Sequence, residues 1–121
     1  MQGNYPVITL CGSTRFKEAF LETQKKLTLD GYIVISVGLF GHSGDDEVWS
    51  PGRKEMLDDM HKRKIDMADA IFVINVNGYI GSSTCSEIEY AKNKGKQIFY
   101  LEDPINHLPT LGPKYIFSPL D

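Results

Sequence analysis

The residue in this chain with the type and setting for covalent chemistry is Glu87. It follows the run Gly81-Ser82-Ser83-Thr84-Cys85-Ser86, small and hydroxyl-bearing residues that end in a carboxylate. The apolar run Ala70 to Val76 before them reads as a buried strand, so the run opens the next helix. A carboxylate early in a helix is held ionised by the helix dipole. Its side chain also leans back toward the N-terminus, over the loop. An ionised, positioned carboxylate is what attack on a glycosidic carbon requires. An ordinary acidic residue of a first helical turn fits the same pattern. Glu89 is the competing carboxylate, but it lies about 200° around the helix, so only one of the two faces the loop.

A second loop of the same kind is Gly12-Ser13-Thr14-Arg15, after the apolar run Pro6 to Cys11. Helix N-termini present unpaired N–H groups and a positive dipole end, so anions bind there. Gly12, Ser13, Arg15, Gly81, Ser82 and Ser83 together read as a phosphate or sugar site. Read singly, Ser13 and Thr84 are equally well explained as helix N-caps. Neither loop matches the P-loop or the dinucleotide fingerprint. Cys85 is a candidate thiolate near a helix N-terminus, but no histidine is placed beside it by the sequence. Cys11 reads as strand core. No metal site is expected, because His42, His61 and His107 are scattered without ligand spacing. Phe40, Trp49 and Tyr79 are loop aromatics that either stack on a nucleobase or close the loops over the core.

These loops need elements to hold them. Pro6 to Cys11 is the first strand. Phe16, Phe20, Thr23 and Leu27 recur at helical spacing on a segment ending at Asp30-Gly31. Tyr32 to Val37 is a second strand. The irregular stretch 38–52 is long for a connection, which marks it as a functional loop or lid. A helix is expected from Arg53 to Ala68, with Leu57, His61, Ile65 and Ala68 on one stripe and Met56, Met60 and Met67 on its flank. After the strand Ala70 to Val76 comes the loop Asn77 to Thr84. A helix follows from about Thr84 to Lys94, with Gly95 as its stop, and then a strand from Gln97 to Leu101. Four of the six prolines fall after residue 101, so the tail is expected to be extended, with one edge strand near Tyr115 to Phe117.

Alternation of strand and helix predicts an α/β fold: a single-domain, three-layer, Rossmann-like or flavodoxin-like arrangement over residues 1–121. The expected sheet is parallel, of four or five strands, in order 2-1-3-4. Its switch point lies between the first and third strands, so the loops after those two strands should form one crevice.

The 121 residues suffice for one core without disulfides or metal, and the hydrophobic fraction of 41% is that of a globular chain. A net charge of −3 with no basic stripe argues against nucleic-acid binding. No apolar run approaches the ~20 residues that span a membrane, no signal peptide opens the chain, and two cysteines are too few for a secreted disulfide scaffold. The expected location is cytoplasmic, with no membrane association.

The stretch Asp69 to Leu101, together with the opening ITLCGSTR, resembles the nucleoside 2-deoxyribosyltransferase-like family, which includes the deoxynucleoside 5′-monophosphate N-glycosidases. The resemblance implies that Glu87, in Glu87-Ile88-Glu89-Tyr90-Ala91, is the nucleophile that attacks the anomeric carbon. It implies a nucleoside or nucleotide as small-molecule partner, no cofactor, and a homo-oligomer (dimer or higher) whose sites are completed across a subunit interface. The chain departs from the family pattern at four places. Cys85 and Glu89 stand where the family has glycines, Gly81 stands where its transferases hold the sugar hydroxyls with an Asp, and His61 stands in place of another Asp. His61, on the inward stripe, is the candidate proton donor to the leaving base, because an ordinary histidine titrates near neutrality. Asp58 and Asp59 are the alternatives. The spacing Ser82 to Cys85 also weakly resembles the NAD-cleaving TIR domains, although Glu87 then comes one residue early. A catalytically silent nucleotide sensor and a protein-interaction module are the non-enzymatic readings.

Overall fold

The structure is a computed structural model that describes residues 2–110 and 112–113. Four strands form one parallel sheet: β1 (Val7–Gly12), β2 (Ile33–Ile35), β3 (Ala70–Ile74) and β4 (Gln97–Tyr100), in the order β2-β1-β3-β4. Three helices connect them: α1 (Lys17–Leu29), α2 (Arg53–Asp66) and α3 (Ser82–Asn93). This is the α/β architecture and strand order that the alternation of elements predicts. The edge strand expected at Tyr115 to Phe117 lies outside the described residues.

Strand side chains alternate between faces, and the two cores divide accordingly. Ile8, Leu10, Ala70, Phe72 and Ile74 pack with Phe20 and Leu27 of α1. Cys11, Ile71 and Val73 pack on the opposite face, with Ile65 of α2 and with Ile88 and Ala91 of α3. All five residues of β3 are buried, as a central parallel strand covered on both faces must be. Right-handed connections on this strand order require α1 on one face and α2 and α3 on the other, which is the arrangement found.

β1 keeps the expected six residues, one position later, but β2 and β3 are shorter than their apolar runs suggest, because polar groups take over the ladder. β2 ends at Ile35, where the Lys64 ammonium donates to the Ser36 carbonyl at 2.8 Å. β3 ends at Ile74, where the Asn75 side chain pairs with the backbone of Glu102 in both directions at 2.9 Å.

The stretch after β2 folds into two short 3-10 turns, Gly41–Ser43 and Asp46–Trp49. They are tied to the loop after β1. Ser43 Oγ donates to the Thr14 carbonyl at 2.8 Å, the His42 amide donates to Thr14 Oγ1 at 3.1 Å, and Thr14 Oγ1 lies 2.9 Å from His42 Nδ1.

Gly12 has a structural role at the end of β1. Its φ is +153°, and a Cβ placed there would come within 2.7 Å of the Ile74 carbonyl oxygen on β3. A glycine is therefore required for the close approach of the two strands at the switch point. Among the described residues, no helix is long and apolar enough to cross a membrane.

Candidate active site

One cavity lies at the carboxyl ends of β1 and β3. Gly12, Ser13 and Thr14 come from the first loop, and Ser83, Thr84 and Glu87 from α3. The loop after β1 therefore meets the first two turns of α3 at the switch point, whereas residues 75–81, the loop after β3, supply none of the lining, so the expected crevice between two loops is found between a loop and a helix. The structure adds walls the loops do not supply. Val37, Leu39, Gly41, His42, Val48 and Trp49 come from the segment after β2, and Lys54, Leu57, Asp58, Met60, His61 and Lys64 from α2.

Glu87 sits in the second turn of α3, not the first, because the helix begins at Ser82 rather than Thr84. Gly81 is the N-cap residue, and Thr84 is buried within the helix instead of capping it. The expectation that the helix dipole holds Glu87 ionised is overturned. Burial, with a smaller effect from the Asp58 charge, pushes its carboxyl up to about 7 from an ordinary 4.5. Glu89 is exposed on the other side of α3, so Glu87 is the carboxylate that reaches the cavity.

His61 comes from the inward stripe of α2 and is 7% exposed. Its Nε2 lies 3.9 Å from Glu87 Oε1. Burial, reinforced by the Lys64 charge, lowers the imidazole to about 4. The contact is therefore between a neutral ring and a carboxyl group, not an ion pair, at neutral pH. A ring of this kind is uncharged near pH 7 and its remaining N–H is only weakly acidic, which counts against the expected role of proton donor to the leaving base.

The predicted binding residues divide. Gly12, Ser13 and Ser83 line the cavity. Ser13 does not cap α1, whose N-cap position is Phe16. Its Oγ accepts from the Arg15 Nε at 3.0 Å. Arg15 is not brought to the cavity. Its guanidinium lies 4.3 Å from the centroid of the Tyr79 ring, beside a separate depression lined by Phe16 and Lys17. Arg15 fails as a cavity ligand because an exposed guanidinium gains more by stacking on an aromatic face than by hanging unpaired over a loop. Ser82 lies in a shallow depression next to the cavity, and Gly81 lines neither. Of the loop aromatics, Phe40 packs edge-on against Phe20 in the core and Tyr79 edge-on against Phe16. Trp49 lines the cavity, with its indole N–H donating to the Gly41 carbonyl at 3.2 Å.

Two residues, Lys54 and Thr14, were missed by the sequence reading, and Cys11, read correctly as strand core, has a polar neighbour that the sequence did not show. Lys54 stands at the cavity rim, 2.9 Å from the Asp58 carboxylate, and donates to Ser83 Oγ at 3.3 Å. Thr14 tethers the segment after β2. Cys11 is fully buried with Sγ 3.4 Å from His61 Nε2. The signal for Lys54 and Asp58 was their (i, i+4) spacing on a helix. Nothing in the local sequence ties Cys11 to a histidine fifty residues away. Cys85, the sequence's candidate thiolate, is exposed on α3. Comparison with protein-family models and with curated proteins yields no match for this chain.

Proposed function

We propose that this protein cleaves or transfers at the N-glycosidic bond of a nucleoside or nucleoside 5′-monophosphate, with Glu87 as the nucleophile. The observation that carries the reading is a half-buried carboxylate in a cavity lined by the loop after β1 and the start of α3. The resemblance of Asp69 to Leu101 and of the ITLCGSTR opening to the nucleoside 2-deoxyribosyltransferase-like family supports the same assignment.

In this mechanism the ionised Glu87 attacks C1′ as the bond to the base breaks, through an oxocarbenium-like transition state. The electron pair of that bond leaves with the base. A glycosyl ester on Glu87 remains, and water or a second base then displaces it. The hydroxyls of Ser13 and Ser83 and the Lys54 ammonium supply polar contacts for sugar hydroxyls or phosphate. They take the place that Arg15 does not fill. Trp49 and the apolar side chains of Val48, Leu57 and Met60 supply a wall for a planar base. His61 is a positioning residue against Glu87.

Released base is followed by chromatography over a panel of nucleosides, nucleoside monophosphates and NAD. Loss of turnover in Glu87→Gln, and a covalent 2-fluoro-2-deoxy sugar adduct on Glu87, are the expected results. Full activity in Glu87→Gln removes the reading. A second reading, a nucleotide-binding protein without turnover, draws on the carboxyl that burial keeps largely protonated below pH 7. Tight binding with no released base selects it. The homo-oligomer implied by the resemblance belongs to the proposal too.

A further inference from the structure

Three groups that ligate metals converge at the wall of the cavity. Cys11 Sγ, His61 Nε2 and a Glu87 carboxylate oxygen all lie within 4.8 Å of one another. They come from β1, α2 and α3, three elements far apart in sequence. Cys11 is fully buried and His61 is 7% exposed, so this is not a solvated acidic cluster on a surface.

We propose that Cys11, His61 and Glu87 form a site for a thiophilic divalent cation of the zinc type, with its fourth position open to the cavity. Zinc accepts thiolate, imidazole and carboxylate together in a tetrahedron. With metal–ligand bonds of about 2.0–2.3 Å, the edges of that tetrahedron are roughly 3.3–3.6 Å. The Sγ to Nε2 separation is 3.4 Å and the Nε2 to Oε1 separation is 3.9 Å. The first matches an edge and the second exceeds one by roughly half an ångström, so the Glu87 side chain has to turn toward the ring and the thiol to close the set.

The charge balance also fits. A thiolate and a carboxylate neutralise a dication, so the occupied site carries no net charge in a buried setting. The neutral imidazole is the ligating form, and a backbone hydrogen bond at Leu10 steadies the ring. Binding displaces the Cys11 thiol proton and, where Glu87 is protonated, its carboxyl proton. Both go to solvent, and no oxidant or reductant is involved. His61 and Glu87 line the cavity while Cys11 lies behind them, so the ion enters through the cavity and its fourth ligand is a water there.

One consequence rests on the proposed function. An ion bound here draws on the negative charge of the Glu87 carboxylate that would attack C1′, so the metal inhibits glycosidic cleavage.

The test uses the full chain with Cys85→Ser, in which Cys11 is the one remaining thiol. Cobalt(II) is titrated in, and its absorption is followed. The expected result is saturation at one equivalent, the intense visible bands of a tetrahedral ion, a near-ultraviolet thiolate-to-cobalt band, and displacement by zinc(II). Cys11→Ser in the same background should lose the thiolate band and weaken binding at least about tenfold. His61→Gln should weaken binding similarly while keeping a thiolate band at high cobalt. A featureless titration, or an octahedral spectrum with no thiolate band, overturns the site. That result needs no variant at Cys11, so it stands even where Cys11→Ser misfolds. Equal affinity in a folded Cys11→Ser also overturns it. Cobalt binding without base release from any nucleoside keeps the metal site and removes the catalytic reading. Base release without cobalt binding does the reverse.

Discussion

At the scale of single residues, the opposed titrations of Glu87 and His61 make a checkable pattern. Glu87 titrates at about 7 in the fold against an ordinary 4.5. A raised carboxyl favours the fold in its protonated form. That contribution is complete below pH 4.5 and is lost as pH rises through 7. His61 titrates at about 4 against an ordinary 6.5. Its contribution is complete above pH 6.5 and is lost as pH falls through 4. Each displacement corresponds to about 3 kcal/mol, so the two slopes cancel between pH 4.5 and 6.5. Glu87→Gln removes one slope. Urea unfolding should find its stability, relative to wild type, smallest at pH 4 and about 3 kcal/mol greater by pH 8. A difference that stays constant across that range would mean Glu87 is not buried as described. The same carboxyl governs activity. The proposed nucleophile must be ionised, so kcat/KM for base release should climb with pH and level off above about 7.

At the scale of elements, the cavity depends on close contacts between segments distant in sequence. Gly12→Ala forces a Cβ against the Ile74 carbonyl at a φ of +153°. The expected cost is about 2–4 kcal/mol, read as a lower urea midpoint with an unchanged m-value. Thr14 holds the 3-10 turns over the cavity by its hydroxyl and its carbonyl. Thr14→Val removes the hydroxyl contacts and keeps the shape. Hydrogen exchange at residues 41–49 should then quicken by roughly five- to tenfold, as a loss of about 1 kcal/mol predicts, with little change in β1 or β3. Unchanged exchange there would show that the turns hold without the tether.

At the scale of the whole molecule, the walls of the cavity come from the loop after β1, the segment after β2, α2 and the start of α3. Trp49 is the one tryptophan and lines that cavity, so its emission reports occupancy without a label. Titration with a nucleoside monophosphate should change it saturably, and Trp49→Phe should abolish the signal. A ligand that binds by calorimetry and leaves Trp49 emission untouched would place the base elsewhere. The net charge of −3 works against an anionic substrate, so attraction must be local. Two lysines line the cavity: Lys64 donates to the Ser36 carbonyl, and Lys54 reaches Ser83, although its partner Asp58 offsets part of its charge. Lys54→Met should therefore weaken binding of a monophosphate more than that of the free nucleoside.

The alternation of apolar runs with helical stripes determined the strand order and the identity of the layers, because parallel connections leave few ways to wind such a chain. It also determined that Glu87 rather than Glu89 faces inward, since helical spacing separates their directions whatever the exact boundary. Helix starts were not determined. Ser13 and Thr84 have the chemistry of caps, yet tertiary packing begins α1 at Lys17 and α3 at Ser82. Arg15 also escaped, because its choice of Tyr79 over the cavity depends on where a distant loop runs. The largest difference is electrostatic. Sequence supplies the ordinary acidity of a side chain, whereas desolvation belongs to the packed fold. Only the packing of α2 and α3 against β1 buries Glu87, His61 and Cys11 together, raising the carboxyl and the thiol and lowering the imidazole.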